Sequence, residues 1–342
     1  MEAHRAGIRR CRRMNGSAAL RILLSDAAHA AIGPRLLQVL ADRPYARVAA
    51  DAPGADADIA FVSRDVTGLS TKHETLPATR IFYDALRQAP SLRWVHGHAA
   101  GADRPVFQDL MARGVQVTTS SGANADVVVQ TALAGLLALA RQFPRLMAAQ
   151  RTHTWAPLMK TGLPRDLAGQ TAVIVGWGPI GQQLGALLAA LGLRVVAVRR
   201  HAGPTTAAVE TVAYEDLTAV LPRADWLVLA CPLTVRTQTL VNAQALACLP
   251  DGAHLVNVAR GEIVDEAALV SALQSGKLAG ACLDVFEHEP LPADSPLWDL
   301  PNVIVTPHSA GFSDGNAAKV EQMFLDNLTS WLAGRPLHNS AN

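Results

Sequence analysis

Cysteine is scarce in this chain: four residues in 342, at Cys11, Cys231, Cys248 and Cys282, with no CxxC pair among them. That excludes a disulfide framework and a zinc ribbon, and makes a reducing cytoplasm the expected compartment. Net charge is nearly absent too, at +1 with 17 % charged residues. A chain without a basic field has neither nucleic acid nor an anionic membrane as its expected partner. Long hydrophobic runs are missing: the longest, around Val127 to Ala140, is interrupted by Gln130 and Thr131 and falls short of the ~20 residues of a membrane helix. No fixed-period repeat or low-complexity linker occurs. His96 and His98 flank Gly97, but no third ligand lies nearby, so no metal is expected.

What is present is apolar sequence, 50 % of the chain, enough for two cores where one rarely serves so many residues. The opening MEAHRAGIRRCRRMNG is rich in arginine, as a transit peptide would be. With few apolar residues, and Met14 as an alternative start, it reads instead as a tail. Short apolar runs at Arg21 to Asp26, Ile59 to Val62, Trp94 to Gly97 and Val115 to Ser120 read as strands separated by helix-length segments. ADVVVQTALAGLLALARQF then reads as a long helix ending near Phe143. From Thr171 a second series follows, TAVIVGWG, LRVVAVRR, WLVLACP, HLVNVAR, GACLDVF and NVIVTPH. Six such strands predict a doubly wound parallel sheet. A last helical pattern, Ala317 to Leu332, is expected to pack back on the first domain and make it discontinuous. The fold class expected is α/β, with two Rossmann-like or flavodoxin-like doubly wound domains and a cleft between them.

Gly176, Gly178 and Gly181 form GxGxxG directly after TAVIV and open the pattern IGQQLGALLAAL. In that context the glycines permit, in turn, a tight turn, close backbone approach to a pyrophosphate, and helix packing, with Pro179 and Ile180 at the helix start. An acid at the end of the next strand would bind a ribose 2′-hydroxyl, whereas arginine accommodates a 2′-phosphate. LRVVAV runs into Arg199 and Arg200, and the nearest acid downstream, Glu210, is too far along. NADP is therefore expected over NAD.

Three charged residues follow: Arg260 in NVARGEIVDE, Glu289 in DVFEHEP and His308 in TPHSAG. An arginine clamps a carboxylate through two parallel hydrogen bonds, and a histidine hands a proton to a carbonyl oxygen. A carboxylate beside the imidazole favours its charged form. From Leu92 to about Asn339 the chain resembles the D-isomer-specific 2-hydroxyacid dehydrogenase family. The resemblance rests on WVHGHAAGADR, VGWGPIG, ACPLTVRT, LVNVARGEIVDEAAL, AGACLDVFEHEPLP and PNVIVTPHSAG, in that order. It implies that Arg260 binds the substrate carboxylate and polarises the 2-oxo group, that Glu289 hydrogen-bonds His308, and that His308 is the acid/base. It further implies that Ala99, Ala100 and Gly101 hold substrate through backbone. Cys231, Pro232, Thr234, Val258, Ala259, Asp284, Ala310 and Gly311 then fall on the cofactor.

The domains expected are a tail at 1–19, a substrate domain at 20–122 plus 312–342, and an NAD(P)-binding domain at 123–311. Gln130 and Thr119 depart from residues frequent in relatives, an acid and an asparagine, and leave cofactor-pocket details open. Glu289 argues against the formate dehydrogenase branch, which has glutamine there. Little follows Leu332 beyond AGRPLHNSAN, so the added regulatory domain of longer phosphoglycerate enzymes is not expected. The resemblance implies a reductase of a small 2-oxo acid, usually dimeric through the cofactor domain; its alternative is a nucleotide-sensing corepressor of the same fold. The loops near Ser63, Thr71 to Glu74 and Ala99 to Asp103 read as poor in charge and favour an unphosphorylated acid, glyoxylate or hydroxypyruvate first.

Overall fold

The computed structural model describes residues 18–160, 162–203 and 209–341. Of the expected tail, residues 1–17 lie outside the described residues. The chain divides into two compact units, the first comprising residues up to Ser121 plus Ala317 onward, the second Gly122–Asn316.

Unit 1 is built from β1 (Leu20–Leu23), α1 (Asp26–Leu40), β2 (Tyr45–Val48), β3 (Ile59–Val62), α2 (Pro77–Gln88), β4 (Trp94–Gly97), α3 (Pro105–Ala112) and β5 (Gln116–Thr118). All pairs in its sheet are parallel, in the order β2-β1-β3-β4-β5. Every residue of β3 and β4 is buried, as a parallel sheet covered on both faces requires. The C-terminal helix Asn316–Leu332 buries Val320, Phe324, Leu325 and Leu328, one stripe at helical spacing. Phe324 stacks on Phe61 with centroids 4.6 Å apart and on Trp94 at 5.5 Å. The last helix thereby closes the core of the first sheet.

Unit 2 opens with α4 (Ala125–Ala140) and α5 (Phe143–Arg151). Its sheet follows as β6 (Thr171–Val175), α6 (Pro179–Ala190), β7 (Arg194–Arg199), β8 (Glu210–Ala213), β9 (Trp226–Leu229), β10 (Ala253–Asn257), α7 (Glu266–Gln274), β11 (Leu278–Leu283) and β12 (Val303–Val305). The order is β12-β11-β10-β9-β6-β7-β8. Winding reverses between β6 and β9, and open α/β sheets take ligands outside the carboxyl ends of strands at such a point. The seven strands exceed the six expected. The addition, β8, is an edge strand whose residues Glu210 to Ala213 are exposed or half-buried, so no apolar run marks it. Leu136 and Leu139 of α4 pack with Ile174 and Leu184 in one core, while Leu227, Leu255 and Leu283 fill the other. Among the described residues no single helix is long and apolar enough to cross a membrane.

Candidate active site

At the switch point of unit 2, β6 runs into Gly176 with φ +105°, and a Cβ there would lie 2.5 Å from Cys231 N and 2.6 Å from Ala230 O. Only glycine makes this turn against the end of β9. A Cβ on Gly181 would lie 2.0 Å from Gly176 O, so helix and turn pack backbone to backbone. Gly178 caps α6, and a Cβ on it would meet nothing within 4 Å. Its outer side is open, which fits a pyrophosphate approaching the amides of the helix start, where Pro179 and Ile180 begin the first turn. A dinucleotide fits this cradle.

β7 ends at Arg199, opposite Ala213; Glu210 stands lower on β8, opposite Val196. The Glu210 carboxylate is engaged by Arg223, with Oε2 2.8 Å from Nη1. No acid among the described residues is paired with Arg199 or Arg200. Burial first, and Cys231 second, push the Tyr214 phenol up to about 12 against the opposing charge of Arg200.

The loop after β9 is shaped by Thr237, a residue that none of the predicted contacts includes. Fully buried, it donates from Oγ1 to Pro232 O at 2.7 Å and accepts from Thr234 N at 2.8 Å. Its only sequence signal is the final threonine of ACPLTVRT. Cys231 is buried, and desolvation pushes its thiol to about 12, which makes it a packing residue rather than a nucleophile. Val258 and Ala259 are buried past β10, with Ala259 N donating to Asn257 Oδ1 at 3.0 Å.

Arg260, Glu289 and His308 belong to three loops of unit 2. His308 Nδ1 lies 2.7 Å from Glu289 Oε2, and Glu289 Oε1 accepts from Phe286 N at 3.1 Å. Both carboxylate oxygens are thus oriented. Burial, the largest influence on Glu289, works to raise its pKa. The His308 hydrogen bond and charge, Phe286 N–H and the Arg260 charge outweigh it, and the group is lowered. An ionised carboxylate only accepts, so Nδ1 carries the proton toward it and Nε2 is left outward. The His308 side chain is 48 % exposed against 11 % for Glu289, so the ring is reachable while its orienting group is not. Arg260, half-buried, is held by its main chain: its carbonyl accepts from Asn257 Nδ2 at 3.0 Å, and Nη1 donates to Ala259 O at 2.8 Å. Gly261 then packs on the backbone of Phe286 and Glu287, where a Cβ would fall 1.8 Å from Phe286 C.

Asp284, expected on the cofactor, has its carboxylate engaged by the loop that follows β12. It is 2 % exposed; Oδ1 accepts from Thr306 Oγ1 at 2.6 Å and Ser309 N at 2.8 Å, and Oδ2 from Ala310 N at 3.0 Å. Its carbonyl accepts from His308 N at 2.8 Å. The carboxylate therefore folds the loop that presents His308, whose φ is +50°, and Gly311 ends that loop beside Asn124.

Ala99, Ala100 and Gly101 lie in unit 1, just past β4, with Ala99 O accepting from Ser120 N at 2.9 Å. His96 is fully buried between Thr118 Oγ1 at 2.8 Å and Ser120 Oγ at 3.0 Å. Burial and His98 hold it at about 3, neutral and structural. No group of three or more candidate metal ligands occurs among the described residues.

The lowered Glu289 pKa has a pH signature. A depressed folded-state value stabilises the fold above the unfolded pKa, and that stabilisation is lost as pH falls through the folded value. Thermal melts of wild type and Glu289→Gln should differ near neutrality and converge in acid, below the ordinary glutamate value of 4.5. A constant difference across that range would show that the pair does not hold the carboxylate ionised.

Residues 133–310 match a family model described as "D-isomer specific 2-hydroxyacid dehydrogenase, NAD binding domain". The D-3-phosphoglycerate dehydrogenase of Mycobacterium tuberculosis is 39 % identical over 234 residues, 68 % of this chain and 43 % of that protein. The glyoxylate reductase of Korarchaeum cryptofilum is 34 % identical over 269 residues, 76 % of this chain and 79 % of the relative. The solved D-isomer specific 2-hydroxyacid dehydrogenase from Xanthobacter autotrophicus Py2, in complex with NADPH and MES, superposes with a TM-score of 0.74 at 29 % identity, covering 95 % of this chain and 98 % of the other. The chain spans less than half the length of the phosphoglycerate dehydrogenases it matches.

Proposed function

The chain belongs to the D-isomer-specific 2-hydroxyacid dehydrogenase family, and we propose that it is an NADPH-preferring reductase of a 2-oxo acid, acting mainly toward the D-2-hydroxy acid. The observation that carries this is the 2.7 Å contact of His308 Nδ1 with Glu289 Oε2, on a loop against which the Arg260–Gly261 backbone is packed. The Gly176–Gly181 turn would hold the pyrophosphate of a reduced nicotinamide dinucleotide, which would supply the hydride. Arg260 takes the substrate carboxylate through paired hydrogen bonds and draws charge from the 2-oxo group. His308 gives the Nε2 proton to the carbonyl oxygen as charge develops there, and takes it back in the reverse direction. Glu289 stabilises the imidazolium and fixes its tautomer. The Ala99, Ala100 and Gly101 backbone is assigned a share of substrate binding, and the cytoplasm is its place of action.

The test is loss of nicotinamide absorbance with purified protein, offering NADPH and NADH in parallel against glyoxylate, hydroxypyruvate, pyruvate and bulkier 2-oxo acids. Turnover with any of them supports the reductase. No turnover alongside tight cofactor binding would overturn it in favour of a nucleotide sensor.

Cofactor choice is tested at the end of β7. Arg199→Asp places an acceptor where a ribose 2′-hydroxyl would sit and repels a 2′-phosphate. The NADPH-to-NADH ratio of kcat/KM is expected to fall about tenfold or more, the worth of one charge-assisted contact. An unchanged ratio would remove Arg199 from the site.

A homodimer is part of the same proposal. Helix α5 buries none of its residues, and Trp155 is 92 % and Met159 85 % exposed beyond it. Apolar surface on this scale marks an interface, and a twofold partner covers it with the same surface. Trp155→Asp is expected to shift sedimentation velocity from dimer to monomer without loss of folding. A variant that sediments as wild type would place the interface elsewhere.

A further inference from the structure

The loop that leaves β9 runs from the nucleotide turn to the segment carrying Arg260. At its start, Ala230 O and Cys231 N are the backbone atoms against which Gly176 turns. At its end, Thr239 N donates to Glu262 O at 2.8 Å and Val241 N to Ile263 O at 3.0 Å, while Val241 O accepts from Asp265 N at 3.1 Å. Backbone contacts therefore fix both ends. Between them Leu233 packs on the core, but Pro232, Thr234, Val235 and Arg236 are exposed, so packing does not decide which way the Thr234 hydroxyl is turned.

A buried hydroxyl decides it. Thr237 is 0 % exposed, and its Oγ1 lies 2.7 Å from Pro232 O, 2.8 Å from Thr234 N and 3.0 Å from Thr234 Oγ1. A hydroxyl has one proton and two lone pairs. A carbonyl only accepts, so the Thr237 proton goes to Pro232 O; the 3.4 Å contact with Thr234 O competes for that proton and leaves the lone pairs alone. Thr234 N fills one lone pair. The Thr234 hydroxyl must then donate into the other. With its proton turned inward, Thr234 offers only its own lone pairs outward, from an exposed position.

We propose that Thr237 is a positioning residue for the cofactor: it fixes the Thr234 hydroxyl as an outward acceptor, and the group received there is an O–H or N–H donor on the nicotinamide half of the dinucleotide. The identity of that ligand rests on the reductase reading. On that reading a nicotinamide that delivers hydride to a substrate held by Arg260 has to lie between the Gly176 turn and Arg260, the path this loop follows. Two donors have the required chemistry, the ribose hydroxyls and the carboxamide N–H.

The test is calorimetric titration of the full chain with NADPH and with 2′-phosphoadenosine diphosphoribose, which keeps the ribose and lacks the carboxamide. Thr237→Val keeps the side-chain shape and removes the hydroxyl. Thr234→Val removes the outward acceptor at an exposed position, so it decides the matter even where Thr237→Val fails to fold. Each valine variant is expected to raise the NADPH Kd about 3- to 10-fold, the worth of one hydrogen bond, and Thr237→Ser to restore it. A matching rise with the truncated nucleotide names the ribose as the donor, and a rise with NADPH alone names the carboxamide. An NADPH Kd that either folded valine variant leaves unchanged overturns the proposal, even if its Tm falls. So does a Thr237→Ser variant as weak as Thr237→Val, because the methyl group and not the hydroxyl would then matter. Absence of turnover with every 2-oxo acid while NADPH still binds would count against the reductase reading alone, and the titrations would still decide the role of Thr237.

Discussion

His308→Gln is expected to lower kcat for 2-oxo acid reduction by about 100- to 10,000-fold, the range over which a positioned acid/base contributes, while cofactor affinity stays near wild type. Glutamine is the informative replacement. Its amide can still donate to Glu289 Oε2, so the buried carboxylate keeps a partner and the loop keeps its shape, whereas alanine would strand that oxygen. What is removed is the ability to release and recover a proton. The loss should therefore appear in kcat and kcat/KM together, as for an interaction made only in the transition state. Ordinary turnover across all pH values would take His308 out of the mechanism. A large rise in cofactor Kd instead would show that the Asp284-bound loop had collapsed, which circular dichroism would report independently.

Much of this architecture was legible because parallel strands covered on both faces read as continuous apolar runs: TAVIV and WLVL are buried throughout. What escaped lies at the margins. β2 and β8 are edge strands with exposed positions, and nothing in YARV or ETVA sets them apart from loop. The frames of ARG, HEP and TPH carry Arg260, Glu289 and His308. No spacing in the sequence, however, says that Asp284 turns both oxygens to Thr306, Ser309 and Ala310, or that Thr237 braces Pro232 and Thr234. Such contacts join loops distant along the chain, and only the fold brings them together.

The second large effect is expected from a residue with no side chain. In Gly261→Ala the new Cβ would lie 1.8 Å from Phe286 C, 2.0 Å from Phe286 O and 2.2 Å from Glu287 N. All three are backbone atoms, so no rotamer change relieves the clash and one loop has to move. Phe286 N holds Glu289 Oε1, and Glu287 N donates to Glu266 Oε2 at 3.1 Å. Displacing this strap tilts Glu289 away from His308 Nδ1. Displacing the other side moves Arg260. Overpacking of this kind costs about 1–3 kcal/mol of stability, and a misplacement of ~1 Å costs about 100-fold in rate. The expected result is a variant that unfolds at lower urea concentration and loses about 100-fold in kcat/KM while its cofactor Kd holds, since the Gly176–Gly181 turn is untouched. Gly315→Ala supplies the contrast, because a Cβ there meets nothing within 4 Å, and it should match wild type in both measurements. Equal activity in the two alanine variants would mean that contact between the Arg260 and Glu289 loops is not what aligns the three charged groups.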